Sequence, residues 1–213
     1  MIRKYSFVRF VGALALVTLV VTNAAAQVGK GLLDPNTAGE KELAGLPHMS
    51  PAIVKAMLER RPFMSATELN TFLLGQKLTA AQAADFYRKA FVHVNLNTGT
   101  SEEILLIPGA GARMAREFAE YRPWKTWAQF DKEISKYVGQ PETDRLKQYV
   151  FIPVNLNTAT DEDILSIPGA GTRMVREFKE YRPWKTKAQF DKEIAKYVGA
   201  KETARLWRYV TIQ

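Results

Sequence analysis

Two stretches of the chain carry groups suited to chemistry on an anion: Ile107-Pro108-Gly109-Ala110-Gly111-Ala112-Arg113 and Ile167-Pro168-Gly169-Ala170-Gly171-Thr172-Arg173. Backbone N–H groups at a Gly-rich turn that leads into a helix start point outward without partners, so they offer a seat for a phosphate oxygen. The candidate phosphate-binding groups are Gly109, Ala110 and Gly111 with Arg113 and Arg116 behind them, and Gly169, Ala170, Gly171 and Thr172 with Arg173 and Arg176. Catalysis has no comparable basis. The chain has no cysteine, and its only histidines are His48 and His93, which removes thiolate chemistry, disulfides and a histidine-rich metal site. There is no Ser/His/Asp set, zinc spacing or Walker loop, and the carboxylates are spread over helix positions with basic neighbours. The expectation is a binding protein and not an enzyme, with no metal and no cofactor.

Helices on both sides must hold these turns. Upstream, Thr100-Ser101-Glu102-Glu103 and Thr160-Asp161-Glu162-Asp163 read as capping boxes that open a helix running into the turn. Pro168 disfavours helical geometry in the residue before it, and the two glycines are expected to supply positive-φ positions and to admit another backbone closely. Downstream, Met174, Val175, Phe178 and Tyr181 fall on one face at helical spacing until Pro183 stops the helix. On this second helix Arg113–Glu117, Arg116–Glu120, Arg173–Glu177 and Arg176–Glu180 are spaced as i,i+4 ion pairs, worth only ~0.3–0.5 kcal/mol each. An arginine in a first turn also opposes the helix dipole, a placement that an anion at the hairpin would offset. Exposed ion pairs and phosphate contacts are both open readings at this level.

The chain repeats itself. Between residues 94–153 and 154–213 roughly 44 of about 60 positions are identical, a period that marks tandem units. Residues 27–93 align more loosely: Asn36-Thr37 under Asn97-Thr98, Leu46-Pro47 under Ile107-Pro108, and Arg61-Pro62-Phe63 under Arg122-Pro123-Trp124. In this first unit His48-Met49-Ser50-Pro51 replaces the Gly-Ala-Gly turn, so both flexible residues are gone and close backbone approach is hindered. Within each unit a second helical pair follows the first, broken at Val198-Gly199-Ala200-Lys201 in the third, and is read as structural support. The ends of one unit, Val154-Asn155-Leu156 and Tyr209-Val210-Thr211-Ile212, are placed side by side as short extended pieces. Units this small bury only ~60% of their chain surface, so they are expected to pack on their neighbours across short linkers as a semi-rigid array. Trp124, Trp184, Tyr121 and Tyr181 are read as core. Trp127 and Trp207 differ: each faces a lysine in the alternate unit (Lys187 and Lys147), which suggests exposure and a partner surface.

The frame Asn-Leu-Asn-Thr, capped helix, Ile-Pro-Gly-Ala-Gly, then a helix ending Tyr-Arg-Pro-Trp resembles the helix-hairpin-helix family, in particular its ComEA-like competence form. The resemblance covers nearly all of the chain after residue 26. It implies an all-α fold of three tandem helix-hairpin-helix repeats at 27–93, 94–153 and 154–213. It also implies hairpin amides that hold double-stranded DNA by its backbone without reading bases, in capture or uptake of external DNA. Related modules serve as protein–protein adaptors, so an exported adaptor or scaffold without DNA binding is the alternative. Its contacts would lie on the divergent first unit or around Trp127 and Trp207.

The N-terminus sets the compartment. Arg3, Lys4 and Arg9 precede an apolar run from Phe10 to Val21 and an Ala24-Ala25-Ala26 site, the pattern of a signal peptide over residues 1–26. A periplasmic or secreted protein without a membrane span after cleavage is expected. Residues 27–93 carry 8 Lys/Arg against 6 Asp/Glu, residues 94–153 carry 8 against 8, and residues 154–213 carry 11 against 8. The balances are +2, 0 and +3, which permit an anionic partner and concentrate the attraction in the third unit. Intact-mass measurement of exported protein is expected to find Gln27 as the first residue; retention of Met1 to Ala26 would overturn the cleavage assignment.

Overall fold

Hydroxyl side chains decide where most helices begin. Ser50, Ser65, Thr79, Thr100, Thr126, Thr160 and Thr186 each accept the amide three residues on, satisfying one of the donors that a helix start leaves open. The structure, a computed structural model, describes residues 31–212; the expected signal segment lies outside the described residues. It is mostly helical. The first unit contains α1 (Glu40–Ala44), α2 (Pro51–Arg60), α3 (Ala66–Gly75) and α4 (Ala80–Tyr87). The second contains α5 (Ser101–Leu105), α6 (Ala112–Glu120) and α7 (Trp127–Lys147), and the third α8 (Asp161–Leu165), α9 (Thr172–Glu180) and α10 (Lys187–Trp207). Gly139 and Gly199, with φ of 74° and 77°, break α7 and α10 into two helices each, at the position read from the sequence as a second turn.

Short parallel pairings close each unit. β1 (Val94–Asn95) pairs with β2 (Val150–Phe151), and β3 (Val154–Asn155) with β4 (Val210–Thr211), while Leu33 and Ala90 form a single parallel bridge. The chain therefore enters and leaves each unit side by side, with the helices as the crossover that parallel pairing requires. The Asn-x-Asn-Thr opening has a matching role. The Asn95 side chain accepts the Asn97 amide at 2.9 Å, and the Asn97 carboxamide both accepts from the Trp124 amide at 2.6 Å and donates to the Trp124 carbonyl at 2.9 Å. Asn157 does the same with Trp184, and Asn36 with Phe63. Arg122 and Arg182 reach back to the carbonyls of Leu96 and Leu156, both at 2.7 Å. Trp124 and Trp184 are buried, and their indole N–H groups donate to the carbonyls of Phe118 and Phe178, so the polar edge of each ring is satisfied inside the core.

Trp127 and Trp207 are half-buried, which corrects the exposure inferred from their exchange with lysine. Trp127 meets Phe130 edge-on at 5.8 Å, Trp207 lies 5.1 Å from Phe190, and the Lys187 ammonium sits 5.5 Å from the Trp207 ring centre. In the third unit the two exchanged positions thus touch each other.

The first and third units meet through buried polar groups. His93 lies with Nδ1 3.9 Å from Asp34 Oδ2, the Tyr209 hydroxyl donates to the same carboxylate at 3.2 Å, and Arg208 Nη2 donates to the His93 carbonyl at 2.9 Å. Burial pushes the His93 imidazole down to about 4; the Asp34 carboxylate opposes this, and the Arg208 guanidinium adds to it. Because the folded value lies below the ordinary 6.5, the unfolded chain takes up the proton first as pH falls. The contribution of neutral His93 is expected to be complete above pH 6.5 and lost progressively down to about pH 4, a change of about 3 kcal/mol at most. Denaturant titrations across that range check it, and His93→Gln should flatten this part of the profile.

Candidate functional site

The two glycines of each turn do different work. Gly109 and Gly169 adopt φ of 82° and 77°, where a side chain is strained, whereas Gly111 and Gly171 are extended helix N-caps with φ of −100° and −114° that any residue adopts. The expectation of two positive-φ positions per turn is thereby corrected to one. A Cβ at Gly109 would come 3.0 Å from Arg145 Nη2, and one at Gly169 would come 2.9 Å from Thr37 Cγ2 and 3.0 Å from Arg205 Nη2. At Gly111 and Gly171 it would meet nothing within 4 Å. These two residues are bare although neither conformation nor internal packing demands it.

The amides divide the same way. Those of Ala110 and Ala170 turn inward and donate to the Ile107 and Ile167 carbonyls at 2.9 Å, so both residues leave the set of candidate phosphate donors. The amides of Gly111, Ala112, Arg113 and Met114, and of Gly171, Thr172, Arg173 and Met174, have no acceptor among the described residues, and neither α6 nor α9 has a side-chain cap. The first unit keeps the same path with different chemistry. His48 takes the positive φ (62°), Ser50 stands in the place of the open glycine and accepts the Ile53 amide at 3.3 Å, and Pro51 has no N–H to offer. One hairpin caps itself and two stay open.

The arginines are not arranged as i,i+4 pairs. Arg113 lies over the Tyr137 ring at 4.7 Å and Arg173 over Tyr197 at 5.0 Å, while Arg116 and Arg176 turn to Glu117 and Glu177 at 3.3 Å and 2.9 Å. These contacts replace the expected Arg113–Glu117, Arg116–Glu120, Arg173–Glu177 and Arg176–Glu180 pairs. Glu117 and Glu177 are buried, and Tyr137 and Tyr197 are linked to Tyr121 and Tyr181 by 2.8 Å hydroxyl contacts. Burial pushes the Glu177 carboxyl up, but Arg176 and the Tyr197 hydroxyl outweigh it and hold it below the usual carboxylate range. The bonds to Tyr121 and Tyr181 raise the Tyr137 and Tyr197 phenols above their ordinary value. Sequence reasoning missed this layer. Its signal was present: Glu117 falls between Met114 and Phe118 on the apolar face, an acidic residue where helical spacing requires a buried one.

Beside each open hairpin runs a shallow groove. One, of about 660 Å³, is lined by Leu105, Ala112, Ala115 and Ala119 with Arg116 and Glu120 at its edge; the other, about 590 Å³, by Leu165, Thr172, Val175 and Arg176, with an Asp161–Lys179 ion pair of 2.7 Å among its walls. Among the described residues no three His, Asp or Glu side chains form a donor set for a metal ion, and no helix is long and apolar enough to cross a membrane. Comparison with family models, curated proteins and solved structures returns no match for this chain.

The two kinds of glycine should respond oppositely to substitution. Gly109→Ala or Gly169→Ala is expected to cost about 1–2 kcal/mol for the left-handed conformation. Gly111→Ser with Gly171→Ser should stabilise by roughly a few tenths of a kcal/mol per site by copying the Ser50 cap. Thermal unfolding of the variants measures both, and a destabilised double serine variant would overturn the account of the open caps.

Proposed function

We propose that the chain is an exported, sequence-independent DNA-binding protein built of tandem helix-hairpin-helix units, using the free amides of the second and third hairpins on backbone phosphates. The observation that carries this reading is the pair of uncapped helix starts behind Gly111 and Gly171, left bare where the first unit closes the same position with Ser50. A phosphate oxygen satisfies such amides and is favoured by the helix dipole. Arg113 and Arg173 are exposed on their tyrosine platforms, and Arg116 and Arg176 keep about two-thirds of their side chains in solvent, so positive charge flanks each seat. Gly109, Gly111, Arg113 and Arg116 thus form one seat, and Gly169, Gly171, Thr172, Arg173 and Arg176 the other. None of these groups selects a base, so binding tracks phosphate and charge. Capture or uptake of external DNA outside the cytoplasm is the role this suits.

The adaptor reading has one specific observation in its favour. Leu105 is half exposed, at 50%, in the groove beside α6, and an apolar residue there suits a protein partner. A salt titration separates the two: phosphate binding weakens steeply with salt, with a slope of roughly −0.9 per neutralised phosphate, and an apolar contact does not.

Gly111→Ser with Gly171→Ser should weaken duplex DNA binding equally across sequences while leaving the fold at least as stable. Arg173→Ala with Arg176→Ala is expected to cost more than the same change at Arg113 and Arg116, since the third unit carries the larger positive balance, and to reduce the salt slope by about 1–2. If folded variants bind as tightly as the parent, the phosphate reading is wrong and the adaptor reading replaces it.

A further inference from the structure

In each unit one residue of the last helix reaches back to the hairpin. Asp85, Arg145 and Arg205 all stand five positions before a residue of the closing strand pairing, Ala90, Val150 and Val210. Asp85 meets His48 at 3.3 Å, and the Nη2 atoms of Arg145 and Arg205 lie 3.0 Å from where a Cβ on Gly109 or Gly169 would stand. What differs is how firmly that residue is held. Arg205 donates from Nη2 to the Pro168 carbonyl at 2.6 Å and is fully buried, a rare state for a charged side chain. Arg145 makes no bond to the Pro108 carbonyl among the described residues, and its side chain is 33% exposed.

The first unit contributes to this burial. Thr37 Cγ2 lies 2.9 Å from the same Cβ point of Gly169 that Arg205 Nη2 approaches, so the two side chains come together at this glycine. Close by, Asp34 accepts the Tyr209 hydroxyl at 3.2 Å and Arg208 donates to the His93 carbonyl at 2.9 Å. Burial pulls the Arg205 guanidinium down, but its bond to Glu202 outweighs this, with Tyr209 and Asp34 adding to it, and the charge is kept inside. Asp34 stands where the other units have Asn95 and Asn155, and Arg208 where the second has Gln148, so the junction is particular to the two units that meet there. Pro168 is buried as a result, where Pro108 is half-buried, while Gly171, Thr172, Arg173 and Arg176 remain exposed. The contact holds the arm of the turn and leaves its free amides open.

We infer that the first unit, whose own hairpin is closed by Ser50, serves as a brace for the third: Thr37 and Arg205 fix the Pro168–Gly169 arm and act as positioning residues for the amides that follow it. A turn held in place before a partner arrives loses less freedom on binding. The middle hairpin lacks this support. The brace itself is independent of the nucleic-acid reading; only its effect on phosphate binding rests on that reading.

The two hairpins supply their own control. Ala110 and Ala170 sit in the same Pro-Gly-Ala-Gly sequence, so their amides share one intrinsic exchange chemistry, and both donate to an isoleucine carbonyl at 2.9 Å. Ala170 is the more exposed of the two, which by burial alone would make it exchange faster. The brace requires the reverse: in the full chain, amide hydrogen exchange followed by NMR should be about tenfold slower at Ala170 than at Ala110. Arg205→Lys, which keeps the charge and loses the guanidinium fork, should speed exchange at Ala170 and leave Ala110 unchanged. Thr37→Ser, which removes a single methyl group, should act in the same direction and keeps the test open if the lysine variant does not fold. Duplex DNA affinity of the variants should fall roughly threefold to tenfold. The salt slope should stay as in the parent, because no phosphate contact is removed. Equal exchange of the two amides in the parent, or Ala170 exchange that no folded variant alters, would overturn the brace whatever the affinity does. Faster Ala170 exchange with a measurable DNA affinity that does not fall would overturn the positioning role. Faster Ala170 exchange with no DNA binding by any form, the parent included, would uphold the brace and remove the nucleic-acid reading instead.

Discussion

Each unit depends on one carboxamide. Asn97, Asn157 and Asn36 bond through both ends of the side-chain amide to the backbone of the residue after the Arg-Pro that ends the second helix. That pairing ties the entry of the unit to the exit of its helical hairpin across a long stretch of chain. The arginine of Arg-Pro reinforces it by reaching the carbonyls of the entry turn. With the ends fixed, the hairpin turn between them has little freedom, and its amides are held in place before any partner arrives. Ordering those groups in advance removes an entropic cost that binding would otherwise carry.

The open hairpins follow from how helix starts are satisfied elsewhere in the fold. Most helices begin on a hydroxyl that accepts an amide, and the first unit does so at Ser50 in the equivalent turn. Among the described residues only α6 and α9 combine a bare N-cap with an arginine in the first turn, an arrangement that opposes the dipole and leaves donors in solvent. Neither feature helps an isolated helix. Both favour an anion at the same place, and their agreement in two units is the physical basis of the function proposed here. Beneath them the buried Glu117 and Glu177 and the paired tyrosines hold the arginines to one side of the turn. Their net charge is modest, but its position is set.

Much of this was legible in residue order. The capping boxes, the helical spacing of Met174, Phe178 and Tyr181 and the breaks at Gly139 and Gly199 are local features, and local propensity specifies them. So was the contrast between Gly-Ala-Gly and His48-Met49-Ser50, although the turn survives there because His48 tolerates the left-handed conformation. The inward amides of Ala110 and Ala170 were not legible, since the direction of an N–H depends on the whole turn. Nor was the half-burial of Trp127 and Trp207, because exchange with lysine reports that a position tolerates both residues and does not report what lies beside it.

By itself, then, the sequence determined a helical chain with a duplicated stretch and the location of two Gly-rich turns at helix starts, because these rest on residue type and short spacing. Tertiary structure alone decided which amides of the turn remain free, that Glu117 and Glu177 lie under the arginines, and that Thr37 of the first unit rests on Gly169 of the third. Those contacts join residues far apart in the chain: Asp34 and Tyr209 are separated by 175 positions. No local preference encodes such a meeting. It is set by the packing of one unit on the next.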